Sequence, residues 1–249
     1  MTIRYIFVSF ILLISSSIKG QDIDLNKMME DDQSKKNSGK QYTERTFLSS
    51  RLINGHSIEN LTPGILDFRI SHRFGQLNSG FYQLFGLDNA TMRMGLDYGV
   101  TRNLMIGAGR STYQKQYDAF LKYKLLTQTD DKSGMPVSVS WMSSIMLNTL
   151  KWENPNRKNY FSSRLYYAHQ LLIARKISEG TSIQIMPTMV HYNLVKSSND
   201  PNDLFSIGIA AKQSITKRVS LNGEYYYQLP GSRFSGTRNS LSLGVDIET

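Results

Sequence analysis

From residue 66 onward the chain alternates between apolar and polar positions. In "LDFRISHRF", Leu66, Phe68, Ile70, His72 and Phe74 interleave with Asp67, Arg69, Ser71 and Arg73. In "TMRMGLDYGV", Met92, Met94, Leu96, Tyr98 and Val100 oppose Thr91, Arg93, Gly95, Asp97 and Gly99. A period of two predicts strands whose two faces meet different surroundings. The same pattern returns around Leu104–Ala108, Tyr117–Leu125, Val137–Ile145, Phe161–Ile173, Ile183–Met189, Phe205–Ala211, Val219–Tyr227 and Leu241–Ile247. Together these make about ten strands, many near the ~9–11 residues that a membrane-crossing strand needs. No amphipathic helix is expected after the N-terminal segment.

The connections narrow the architecture. "YGVTRNLMIG" at 98–107, "ISEGTSIQ" at 177–184 and "ITKRVSLN" at 215–222 share one plan: Val or Ile, then Thr or Ser, then turn-capable residues, then a strand. These short turns alternate with long connections at 75–90, "NTLKWENPNRKN", "HYNLVKSSNDPND" and "LPGSRFSGTR"; two further connections are of middling length. Outer-membrane barrels have short turns at one end and longer loops at the other. The three Thr/Ser turns are therefore expected at one end, the periplasmic one.

Periodicity alone does not say which face is wet, because a soluble barrel and a membrane barrel share it. Three features favour lipid outside. The apolar sets carry no Lys, Arg, Asp or Glu through the strand bodies. The polar sets are rich in Gly and Ser, as a crowded lumen requires. Tyr98, Tyr113, Tyr117, Trp152, Tyr160, Tyr192 and Tyr227 gather near strand ends like an interfacial girdle. The expected fold is all-β: an antiparallel up-and-down transmembrane β-barrel of about ten strands. A soluble periplasmic barrel that binds a ligand is the alternative.

The N-terminus adds a compartment. "MTIRYIFVSFILLISSSIKG" has one Arg, an apolar run too short for a transmembrane helix, and small polar residues after it. It reads as a signal peptide over 1–20. Residues 21–46 read as a flexible polar leader, and 47–249 as a single barrel domain. "FLSSRLINGHSIENLTPG", 47–64, reads as a short docking segment before the first strand. The chain's formal charge of +9 suits lipid phosphates or solvent in an exported protein, and no nucleic-acid partner is expected. With Cys 0, disulfides, thiolate metal sites and thiol nucleophiles are excluded.

Several segments carry a resemblance: "RLINGHSIENL", "FRISHRFG", "FYQLFGLDNATMRMGLDYGVT", "YDAFLKYKLL" and "NSLSLGVDIET". They resemble an exported β-barrel family of Bacteroidota-type Gram-negative bacteria, a domain of unknown function. The resemblance runs from about Phe47 to Thr249. It implies an outer-membrane barrel and supplies no catalytic or ligand residues. Related chains continue past "GVDIET", so the resemblance also implies a truncated chain, with twelve strands rather than ten when complete.

Candidate chemistry is sparse. A serine hydrolase needs a His base with an orienting acid or amide. His72 and His169 fall in the outward register, His56 precedes the barrel, and His191 stands at a strand end. His191 with Asp200 or Asp203 is the one conceivable rim pair, and solvated loop residues are the simpler reading. No metal-ligand spacing is present, "GAG" at 107–109 is a strand glycine pair rather than a phosphate loop, and neither an enzyme nor a cofactor is expected.

The lumen charges are more informative. The register turns Arg69, Arg73, Arg93, Lys122, Lys124, Arg164 and Lys212 inward, against Asp67, Asp97, Asp118, Glu224, Asp246 and Glu248. Such near-balance predicts a salt-bridged interior with at most a narrow pore. Asp67, Arg69, Arg73, Arg93, Asp97, Lys122 and Arg164 are the candidate ligand or lumen charge network. The expected function is a narrow channel or transport component for small polar solutes. The alternative is a structural barrel that binds a partner or lipopolysaccharide through its long loops. Outer-membrane lipid and lipopolysaccharide are the expected surroundings.

Overall fold

The polarity of the sheet is inside out relative to a soluble protein. Asp97, Lys122, Ser140 and Gln184 are 0% exposed, while Phe68 is 59%, Ile209 54% and Ile70 51% exposed. The computed structural model that shows this describes residues 41–248, apart from 44, 76, 131–133 and 196. The expected signal peptide, 1–20, and the leader through residue 40 lie outside the described residues.

The strands are β1 (Leu66–Arg73), β2 (Thr91–Gly99), β3 (Leu104–Ser111), β4 (Tyr117–Leu126), β5 (Ser138–Leu147), β6 (Leu165–Lys176), β7 (Thr181–Tyr192), β8 (Asp203–Ser214), β9 (Val219–Gln228) and β10 (Ser240–Ile247). All ten form one antiparallel sheet in chain order. β1 and β10 are its edges, and no ladder joins them among the described residues. The register carries the alternation from strand to strand. Phe68 stands opposite Leu96, and Leu96 opposite Ala108, so the apolar sets merge into one outer face. An exposed apolar face of this extent is tolerated in lipid and not in water. The soluble alternative therefore falls.

The repeated turn is one structure used three times. Val100 and Thr101 donate their N–H groups to the Leu104 carbonyl, and the Thr101 hydroxyl accepts from the N–H groups of Asn103 and Leu104. Ile177, Ser178 and Thr181 repeat the arrangement, as do Ile215, Thr216 and Val219. The hydroxyl satisfies an N–H that the tight reversal leaves without a backbone partner, which is why Thr or Ser recurs there. All three turns lie at the same end of the sheet, here called the turn end. The connection 127–137 shares it. The other end, the loop end, carries 74–90, 112–116, 148–164, 193–202 and 229–239.

Two local departures follow from residue type. Pro187 has no N–H, and the β6–β7 ladder skips from Gln170–Thr188 to Ile173–Ile185, while Pro187 keeps its place opposite Ile207 on β8. Residues Phe161–Arg164, expected at the start of a strand, form a 3-10 turn before β6 instead. Only such short turns interrupt the strands among the described residues.

The segment before β1 is folded inside the sheet. Residues 42–46, read from sequence as the end of the leader, already make contacts at the turn end. Tyr42 bridges Thr129, Thr43 bonds Asp130, and Arg45 pairs with Glu248. From Thr46 the chain runs inward, reverses at Ile53–Gly55, and returns. Leu52 N–H meets the Gly55 carbonyl, and Ser57 N–H meets Ser50. It leaves past Gly99, whose bare Cα faces the Leu61 and Thr62 carbonyls so closely that any Cβ would strike them. Phe47 is 2% and Ile58 0% exposed, and both belong to the small apolar core with Met105, Leu172 and Met186.

Candidate functional site

The inserted segment, residues 46–62, is held by inward side chains from around the sheet. Arg51 reaches Asp97 of β2 at 3.1 Å, and the carboxylate is fully buried. The Arg51 guanidinium also lies 4.8 Å over the ring of Phe120 on β4. Gly107 makes room there, since a Cβ would collide with both Phe120 and Asp97. On β1, Arg69 donates to the Ser50 hydroxyl at 3.3 Å. Gln184 of β7 donates to the His56 carbonyl at 2.8 Å. Asn54 donates to Ser242 of β10 at 2.7 Å.

Two contacts clamp the hairpin at its tip and its base. At the tip, the Glu224 carboxylate of β9 accepts from the consecutive N–H groups of Ile53, Asn54 and Gly55 at 3.0, 2.9 and 3.0 Å. A run of backbone N–H groups on a tight turn is a preformed anion cradle, and the protein fills it with its own carboxylate. Nearer the turn end, Lys122 of β4 donates to the carbonyls of Ser57 at 3.1 Å, of Ser50 and of Glu59. Those carbonyls belong to both arms. Lys122 therefore staples the hairpin shut and is 0% exposed. His56 packs edge-on against Phe120 at 4.5 Å. Burial first, then the charges of Arg51 and Lys122, hold its imidazole well below the usual 6.5, so it stays neutral.

Above the tip, toward the loop end, a cavity of about 860 Å³ remains. Its floor is Arg51–His56 and its walls include Arg69, Arg73, Arg93, Asp118, Met142, Met146 and Tyr226. Arg93 makes a two-pronged contact with Asp118, with Nε at 2.9 Å. Arg69 is held by Asp67 at 2.6 Å. At the mouth, Tyr166 and Tyr192 stack at 4.9 Å, and Phe234 closes edge-on over Tyr192 at 5.0 Å.

A family model described as a membrane bound beta barrel domain (DUF5777) matches residues 47–249. The chain belongs to this family. The match starts at Phe47, so the family domain includes the inserted hairpin together with the strands. The faces of the sheet agree with a membrane location. Searches of curated proteins and of solved structures each returned no match.

Of the residues expected to form a lumen charge network, the structure brings Asp67, Arg69, Arg93, Asp97 and Lys122 onto the inner face, in pairs or staples rather than one chain. Arg73 lines the loop-end part of the cavity. Arg164 is a correction. Its register was extended past the end of β6, and it lies in the 3-10 turn outside the lumen. There it stacks 3.9 Å over Trp152 and bonds the Asn148 and Leu150 carbonyls. Glu248 also leaves the lumen set, because it pairs with exposed Arg45.

The girdle is corrected in part. Tyr98, Tyr117 and Tyr227 face outward at strand ends, and Tyr123 and Trp141 join them as a cross-strand pair. Tyr192 faces inward, Tyr113 lines the cavity, and Trp152 and Tyr160 lie in a loop under cations.

Two of the four histidines form separate cross-strand pairs on the outer face. His191 meets Asp203 at 2.7 Å, and His169 meets Ser143 at 2.9 Å. Each pair satisfies polar atoms that lipid cannot. His56 and Arg51 were the residues that sequence missed. The available signal was the Asn-Gly turn in "RLINGHSI", with Leu52, Ile53 and Ile58 on either side of it.

Proposed function

We propose that the protein is an outer-membrane barrel, exported with a cleaved signal peptide, that acts as a transport component for small polar solutes and is kept closed by residues 46–62. The observation that carries this is the clamping of the hairpin by Arg51–Asp97, the Lys122 staple and the Glu224 cradle. These contacts are polar, made with strand side chains, and separable without unfolding the sheet. Held by such contacts and bordered by a cavity of about 860 Å³, the backbone insertion is a movable part rather than a packed core. Opening would require the hairpin to shift toward the turn end, where its two arms enter and leave.

The natural absence of cysteine permits a clean test. Asn54→Cys with Ser242→Cys would tie the hairpin tip to β10. In planar bilayers the parent and the reduced double variant should show small, intermittent openings, which in the variant vanish when the pair is oxidised and return on reduction. A large, steady current in the oxidised protein would sink the reading.

The second reading, a barrel that binds lipopolysaccharide or a protein through its loops, draws on one feature. The β1–β2 connection presents Phe81 and Tyr82 at 78% and 94% exposure. Pull-down by the loops with no conductance in any state would favour it.

A further inference from the structure

The cavity above the hairpin is divided by polarity. On the β1–β2 side stand Arg69, Arg73 and Arg93. On the β5–β7 side the lining residues are Met142, Met146, Val190 and uncharged polar neighbours, and no charged side chain from β5, β6, β7 or β9 reaches the cavity among the described residues. The volume, about 860 Å³, lies within the ~300–1,000 Å³ range of small-molecule sites.

The guanidiniums are positioned in advance. Asp67 holds Arg69 through one nitrogen, and Asp118 holds Arg93 through Nε and one terminal nitrogen. A guanidinium has five N–H donors, so each keeps donors to spare while its orientation is fixed. Arg73 has no side-chain ion pair among the described residues, and it lies on the same strand face as Arg69, nearer the mouth. Carboxylates and phosphates are the groups that such planar forks recognise. Thioether and aromatic groups opposite suit an apolar body. Asp246 also lines the cavity, which disfavours a ligand of high negative charge.

We infer that this cavity is a binding site for a small organic monocarboxylate with an apolar or aromatic body, its carboxylate on Arg73 and Arg69 and its body against Met142 and Met146. The inference rests on the plugged-barrel reading only in that the hairpin forms the floor. It does not require the hairpin to move.

Benzoate is the probe, with benzyl alcohol, benzylamine and inorganic phosphate as comparisons, measured by titration calorimetry on the full chain in non-ionic detergent. Benzoate should bind saturably and at least about tenfold more tightly than the other three: the alcohol and the amine lack the anion that a charge-assisted fork takes, and phosphate lacks the apolar body and meets Asp246. Arg73→Gln should weaken benzoate about tenfold or more, and Met146→Gln should weaken it without raising phosphate affinity. Arg218→Gln, at the turn end, should leave it unchanged. Equal binding of benzylamine, phosphate as strong as benzoate, or indifference to Arg73→Gln would overturn the site. The measurement is repeated on the oxidised Asn54→Cys/Ser242→Cys protein. Binding retained there, with no openings in bilayers in either the oxidised or the reduced state, means that the transport reading fails and the site stands. Gating without benzoate binding means the reverse.

Discussion

Arg51 and Asp97 meet at 3.1 Å with the carboxylate fully buried and the Arg51 side chain 18% exposed. One belongs to the inserted hairpin and the other to a membrane-crossing strand. The pair is therefore a measure of how firmly the hairpin is seated. Removing one partner of a buried pair leaves the other uncompensated, at a cost of about 3 kcal/mol. Arg51→Ala should lower stability to denaturant by about that amount, and Arg51→Ala with Asp97→Asn should recover part of it. A double-mutant cycle with no coupling would mean that the hairpin does not depend on this contact.

The two faces make opposite demands. Leu96 is outward, flanked by Phe68 and Ala108. Leu96→Arg should reduce folding yield in vesicles, at about 2–4 kcal/mol if the site lies near the midplane. Gly95 is inward, and a new side chain there meets the end of Arg93, which must shift against its contact with Asp118 but stays among polar partners. Gly95→Ser should be the milder change. The reverse ranking in a urea-folding titration would invert the assignment of the faces.

The loops respond to pH at one identifiable point. Asp200, in the β7–β8 connection, accepts from the Ser235 backbone N–H at 2.8 Å and its hydroxyl at 2.7 Å, in the β9–β10 connection. These bonds, backbone first, hold its carboxyl below the usual 3.8. A depressed carboxyl contributes its tie above the unfolded value and loses it as pH falls through the folded one. The two loops should thus stay joined at neutral pH and separate only below pH 3.8. The Ser235 amide proton should titrate in that range by NMR, and the titration should disappear in Asp200→Asn. A midpoint above 3.8 would contradict the geometry.

The strands were legible because alternation is a local property. Leu66–Phe74 and Thr91–Val100 declare both faces in a few residues, and the family's lipid-facing assignment requires only that the apolar set point outward. The Thr101, Ser178 and Thr216 turns were legible for the same reason. The hairpin was not. Arg51, His56 and Ser57 are held by partners on β2, β4 and β7, distant in sequence, and nothing local marks them as interior. Arg164 failed differently: a period of two was carried one step beyond the strand that justified it. Arg73 and Arg93, read as members of one network, lie in different settings, one at the mouth and one locked on Asp118.

Lys122 offers the sharpest test of the hairpin as a separable part. A lumen lysine ordinarily meets a carboxylate, whereas this one donates to backbone carbonyls of Ser50, Ser57 and Glu59. Those bonds join the ascending arm to the descending one and both to β4. In Lys122→Met the stem keeps its volume, but the Ser57 and Glu59 carbonyls lose this donor, while Ser50 keeps the Ser57 N–H; each buried orphan costs about 1–3 kcal/mol. The strands keep their own ladders and should remain folded. The expected result is a protein with unchanged heat-modifiable gel mobility and unchanged far-ultraviolet dichroism, in which limited proteolysis cuts within residues 46–62 at least about tenfold faster, as the loss of one such bond implies. Bilayer recordings of the same protein should show openings more often than the parent. If the barrel itself fails to form, the hairpin is part of the folding core and not a plug. If proteolysis and openings both match the parent, Lys122 does not hold the hairpin in place.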